Sequence, residues 1–159
     1  MHLFVVRHAA AEGSEQGAAG AARELTEAGR DKLRRAVRGL RALDIRFDRI
    51  LTSPWKRAAQ TAKLLEPVAS GPTIATELLA QPPRPELLAL LAEGGETTAV
   101  VGHEPWLGEL AAWLAFGDPR HGEALQIKKA GAVWLNGTAV PGGMHLLALL
   151  PPRILRALG

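Results

Sequence analysis

The feature that most constrains this chain is a short run in which every residue is apolar, Leu3 to Val6, closed by Arg7 and His8. Successive side chains of a strand point to opposite faces, so an unbroken apolar strand is stable only where both faces are covered. Two later runs also read as strands, the short "DRILT" at Asp48 to Thr52 and "TTAVV" at Thr97 to Val101. Helical spacing fills the intervals between them. After Thr26, a suitable cap, Leu33, Val37 and Leu40 recur on one face while Arg30, Arg34, Arg38 and Arg41 line another. Strands alternating with helices predict an α/β chain with a mostly parallel sheet and helices on both of its faces.

The finer reading places the first strand at Met1 to Val6 and a flexible Gly-rich loop, "EGSEQGAAGAA", at residues 12–22. Ser53 reads as an N-cap with Pro54 at the first helical position, which starts a second helix running to about Glu66. The Pro-rich stretch from Pro67 to Pro85 is irregular, with a candidate short strand at Thr73 to Ala75, and "PELLALLAE" opens a third helix at Pro85. A fourth helix spans Pro105 to about Phe116. Two strands, Gly131 to Asn136 and Met144 to Leu150, flank a hairpin connection, and "PPRILRALG" ends the chain as either a free tail or a packed helix. The 159 residues suit one domain, 1–159, and neither a repeat nor a linker divides them.

Three polar clusters fall at comparable places: Arg7 and His8 after the first strand, Ser53 and Arg57 at the second strand's corner, His103 and Glu104 at a third. In an open α/β sheet the crevice at the carboxyl ends of the parallel strands binds ligands, so these corners can meet. Two guanidiniums offer bidentate donors to a tetrahedral oxyanion, and helix N-termini add backbone donors. That is a phosphate site. An imidazole beside permanent cations is held neutral, and its lone pair can attack phosphorus, which makes His8 a candidate nucleophile.

Composition narrows the classes. With 47% hydrophobic and 22% charged residues the chain has the makeup of a soluble globule, and a formal charge of +3 suits anionic ligands without proving one. It has no cysteine, which removes disulfides, thiolate metal sites and thiolate catalysis. Neither a signal peptide nor a membrane-length apolar run is present, so the expectation is a cytoplasmic protein without a membrane partner. The Arg-rich stretch from Arg30 to Arg46 also carries Asp31 and Asp44 and has Phe47 as its one nearby aromatic, so it reads as a solvated helix face and not a nucleic-acid surface.

The motifs themselves carry a resemblance. "VVRHA" resembles the RHG signature of the histidine phosphatase superfamily, "LTSPWKRAAQTA" resembles its SPxxRAxQTA segment, and "VVGHEPWL" resembles its second-histidine motif. Order, spacing and length are most similar to the SixA-type phosphohistidine phosphatases, whose RPLTxxG stretch "RELTEAGRDKL" also resembles. The likeness covers residues 1 to about 115, and its specificity comes from three motifs in order. It implies a three-layer α/β/α fold like that of the phosphoglycerate mutases, phosphorylation of His8, and binding of the phosphoryl group by Arg7, Arg57 and His103, with no metal or other cofactor. Ala9 departs from the signature's glycine, which exchanges a residue free to be left-handed for one that prefers ordinary angles.

Other assignments stay open at the level of sequence. Ser53 is a helix cap or a phosphate ligand, Glu104 a further substrate- or phosphate-binding residue, and Arg23 a phosphate ligand, an ion-pair partner of Glu27 or a solvated side chain. The mutase branch uses a glutamate as general acid, for which Glu77 is the nearest candidate by position, with Glu12 and Glu104 as alternatives. Trp55 and Trp106 pack in the core by default, yet each directly follows a site corner and could line a rim. The short cover between the second and third helices predicts an open pocket, suited to phosphohistidine on a protein. A small phosphomonoester as substrate and a non-catalytic phosphate-binding module are the alternatives.

Overall fold

The chain is described by a computed structural model over residues 1–13 and 20–159. The middle of the predicted Gly-rich loop, residues 14–19, therefore lies outside the described residues. Six strands form one sheet: β1 (His2–Arg7), β2 (Arg49–Thr52), β3 (Thr73–Ala75), β4 (Thr97–Gly102), β5 (Ala132–Gly137) and β6 (Met144–Leu150). Their order across the sheet is β3-β2-β4-β1-β5-β6. The first four run parallel, while β5 lies antiparallel to β1 and β6 antiparallel to β5. Among the described residues five α-helices surround the sheet: α1 (Glu27–Ala42), α2 (Lys56–Leu65), α3 (Pro85–Ala92), α4 (Trp106–Phe116) and α5 (Pro152–Leu158).

Strand alternation divides the core into two. Phe4, Val6, Ile50, Ala99, Val101 and Ala132 face α1, α2 and α5, whereas Leu3, Val5, Leu51, Val100, Val133 and Leu135 face α3 and α4. This is the two-sided coverage that the unbroken apolar strands require. The closing segment is a packed helix and not a free tail: Leu155 of α5 is buried against α1. There Gly39 permits the approach, since a Cβ would stand 1.9 Å from the Leu155 carbonyl oxygen.

Local chemistry explains most element ends. Thr26 caps α1 by accepting from the Gly29 amide at 3.0 Å. The start of α2 differs from the sequence expectation. The helix begins at Lys56, after an extended Trp55, and Ser53 is not its cap. Ser53 Oγ instead accepts from the Trp55 amide at 3.2 Å, and this two-residue serine turn delays the helix. The end of α2 passes directly into a 3₁₀ turn at Glu66–Val68. At the signature position Ala9 is fully buried, and its φ is not positive, since Asp44 and Ala130 are the non-glycine residues with positive φ among those described. Alanine therefore fits there without strain.

Candidate active site

Three neighbouring strands present their carboxyl ends side by side. Because β4 lies between β2 and β1, the residues that follow each strand, Ser53, His103 and His8, come together although about 50 positions separate consecutive members in sequence. Backbone bonds tie the corners: the Ser53 amide donates to the Val101 carbonyl at 2.9 Å and the His8 amide to the Gly102 carbonyl at 3.1 Å. Beyond β1, the Ala130 amide reaches the carbonyls of Arg7 and His8 at 3.1 and 3.2 Å. Ser53 and His8 are thereby mounted on the sheet.

His8 is buried, and its two ring nitrogens have different neighbours. Nδ1 lies 2.7 Å from the Ala9 carbonyl oxygen, which can only accept, so the proton sits on Nδ1. Nε2 accordingly carries the lone pair, and Arg57 Nε–H donates to it at 3.1 Å. Burial first, then the charges of Arg57, Arg7 and Lys129, lower the His8 pKa from 6.5 to about 4 against the opposing pull of the Ala9 carbonyl. The ring is a neutral base at physiological pH, oriented by its own backbone.

Arg57 belongs to the first turn of α2 and is buried despite its charge. Besides His8 it contacts the Gly20 carbonyl, and its guanidinium lies 4.8 Å from the Trp55 ring centroid. Thr61, one turn later and fully buried, donates to the Arg57 carbonyl at 2.7 Å and accepts from the Ala9 amide at 3.1 Å. It joins the helix that carries the arginine to the segment that carries the nucleophile candidate.

His103 sits 5.3 Å from His8 between ring centroids. Its Nε2 is 2.8 Å from Ser53 Oγ, while Nδ1 is buried with no hydrogen-bond partner among the described residues. Burial, then Arg57, His8, Arg23 and Arg7, lower its pKa to about 3. Arg7 reaches across to the Ile127 carbonyl at 3.1 Å. Arg23 donates to the carbonyls of Glu12 and Gly13, both at 3.3 Å, and keeps a buried Nε without a partner among the described residues.

Together Arg7, His8, Arg23, Trp55, Arg57, His103, Glu104 and Trp106 line a cavity of about 240 Å³. The Glu104 carboxylate lines it yet serves the fold, accepting from the Gly108 amide at 2.9 Å and the Ile127 amide at 2.7 Å. With both oxygens engaged as acceptors of backbone amides, it offers an oxyanion no donor. Glu77 opens a single 3₁₀ turn, is exposed, and does not line the cavity; Glu12 is likewise exposed and outside it. Two contributors were not singled out from sequence. Thr61 lies inside the quoted "RAAQTA" segment, which is where a signal for it existed, whereas nothing in "IKKAG" announces that Lys129 acts on His8.

Comparisons with known proteins place the chain in a family. The family model of the histidine phosphatase superfamily (branch 1) matches residues 3–81. Phosphohistidine phosphatase SixA of Escherichia coli strain K12 is 30% identical over 125 residues, covering 74% of this chain and 76% of that protein. The chain belongs to the histidine phosphatase superfamily. Its fold is that of the superfamily's solved members: the protein histidine phosphatase SixA complexed with tungstate superposes with a TM-score of 0.77 at 24% identity, over 98% of this chain and 99% of the other. An α-ribazole-5′-phosphate phosphatase from Escherichia coli K-12 superposes with a TM-score of 0.73 at 18% identity, over 100% and 99%. Members with protein and small-molecule substrates in their names thus share this histidine phosphatase fold. Among the described residues no helix is long and apolar enough to cross a membrane, and no group of three or more His, Cys, Asp or Glu side chains gathers as metal ligands do.

Proposed function

We propose that this histidine phosphatase removes phosphoryl groups through a covalent intermediate on His8 Nε2, with phosphohistidine on a protein as the preferred substrate. The observation that carries the reading is the His8 ring itself: protonated at Nδ1 by its bond to Ala9, neutral, and presenting the Nε2 lone pair into a cavity lined by three arginines. In the first step Nε2 attacks phosphorus, the Nε2–P bond forms, and the bond to the leaving group breaks with its electron pair staying on that group. Arg57, now relieved of its bond to Nε2, and Arg7 neutralise the equatorial oxygens, with Arg23 Nε as a further donor. Water then attacks phosphorus, the Nε2–P bond breaks, and phosphate leaves.

His103 contributes a donor in this scheme. The scheme assigns the Ser53 hydroxyl, which accepts from the Trp55 amide, as donor to His103 Nε2, with the imidazole proton on Nδ1. That buried donor lacks a partner among the described residues, and a phosphoryl oxygen would supply one.

The choice of substrate follows from protonation. An alkoxide leaving group needs a proton in the transition state, and no carboxyl group lining the cavity has an oxygen free of backbone bonds. The imidazole of a phosphohistidine already protonated on its other nitrogen departs neutral. The site is therefore suited to an N–P bond. Acid quenching during turnover should trap a base-stable, acid-labile phosphoryl adduct on the wild-type chain; full turnover by a His8→Ala variant would refute the scheme.

A further inference from the structure

The chain has four tryptophans, and they divide into two kinds. Trp134 packs on Phe4 with ring centroids 5.0 Å apart and donates its Nε1–H to His2 Nδ1 at 3.0 Å. Trp113 is packed against the other half of the core. Trp55 and Trp106 do neither. Both are half-buried, both line the cavity, and neither indole N–H has a partner among the described residues.

Their rings stand 5.9 Å apart at 67°, a corner with two aromatic walls. Trp55 also contacts His103, at 4.5 Å between ring centroids, and the Arg57 guanidinium, at 4.8 Å from its ring centroid. Trp106 meets His103 edge-on at 6.2 Å. One cavity thus combines two chemistries. The arginines and histidines suit a phosphoryl group, whereas the two indole faces beside them carry the negative side of the ring quadrupole and suit a planar, uncharged group. What such a corner favours is a planar ring, which stacks on one indole and meets the other edge-on.

We propose that Trp55 and Trp106 form the leaving-group subsite and select a planar nitrogen heterocycle bonded to phosphorus, of which the imidazole of phosphohistidine is the example. The inference rests on the reading that His8 receives the phosphoryl group, and adds a specificity for what departs. Ring stacking contributes to affinity without supplying a proton, which matches a substrate whose leaving group needs none.

The test compares two N–P substrates that differ in the ring, phosphoimidazole and phosphoramidate. A Trp106→Leu variant should lose about tenfold in kcat/KM for phosphoimidazole and no more than about twofold for phosphoramidate, while Trp106→Phe restores most of the difference. Equal losses for both substrates would overturn the assignment. The wild-type chain gives an independent check: at pH 8, N-methylimidazole should inhibit phosphoramidate turnover competitively and quench tryptophan fluorescence, and tetrahydrofuran, an uncharged saturated ring of the same size, should do neither. Equal inhibition by the two ring compounds would also overturn it. If wild type hydrolyses neither substrate and forms no acid-labile adduct, the His8 reading fails and takes this inference with it; turnover without ring preference sinks the inference alone.

Discussion

The corners after β1 and β4 invite comparison, since each ends a central parallel strand with a buried histidine and the two strands pair in register, Arg7 opposite Gly102. His8 is oriented by a backbone carbonyl, which fixes its tautomer, and it faces a guanidinium that guards its lone pair. His103 is oriented by a hydroxyl, which can give or take a proton, and it is enclosed by two indoles. In the proposed scheme the same side chain serves as nucleophile at one corner and as donor at the other. The difference lies in the partner of the nitrogen turned away from the substrate.

The sharpest way to break this comparison is to truncate each ring in turn. His8→Ala should lower turnover by at least about a thousandfold and abolish the acid-labile adduct, whereas His103→Ala should still form the adduct, roughly a hundredfold more slowly. Adduct formation of equal rate in both variants, read by acid-quench labelling, would erase the division of roles. Next in size, Arg57→Lys keeps the charge but loses the planar fork and the Nε–H that meets His8, so kcat/KM for p-nitrophenyl phosphate should fall about a hundredfold.

Acidification probes both corners together. The folded pKa values, about 4 for His8 and about 3 for His103, lie below the ordinary 6.5, so the unfolded chain takes up these protons first. The stability they contribute is complete above pH 6.5 and is lost as pH falls through the folded values, on the order of 3 kcal/mol for His8 and about 5 kcal/mol for His103. Thermal melts between pH 7 and 4 should therefore show a steeper fall in Tm for wild type than for His8→Asn. In activity, kcat/KM should hold down to an acid limb near pH 4, where His8 loses its lone pair. The smallest effect should come from Thr61→Val, which strips the buried bridge between the Ala9 amide and the Arg57 carbonyl: about 1 to 3 kcal/mol in urea unfolding and a several-fold loss of turnover.

Much of the fold was legible because its signals are local. Unbroken apolar strands, helical spacing in α1 and the Thr26 cap each act within a few residues, and the elements appear close to where those signals place them. The start of α2 was misread for an equally local reason: Ser53 followed by Pro54 is a good cap sequence, but the serine hydroxyl has a long-range partner in His103. Arg7, His8, Arg57 and His103 were identifiable from motif order, and the structure gathers all four around one cavity. Glu104 looked like a site residue because it follows His103, yet its oxygens are taken by the amides of Gly108 and Ile127. Ile127 lies 23 positions away, beyond the reach of any sequence window.

By itself the sequence determined which chemistry is available: two arginines and two histidines at strand-to-helix corners, and no thiol to compete with them. Only the tertiary structure decided how they are used. Placing β4 between β2 and β1 turns three separated corners into one cavity, and burial at those corners moves both histidines to their neutral forms. It also turns Trp55 and Trp106 towards that cavity and brings the charge of Lys129 to bear on His8. The physical reason is range. Propensity and pattern act along the chain over a few residues, whereas desolvation, Coulomb fields and hydrogen-bond partners are set by whatever the strand order makes adjacent.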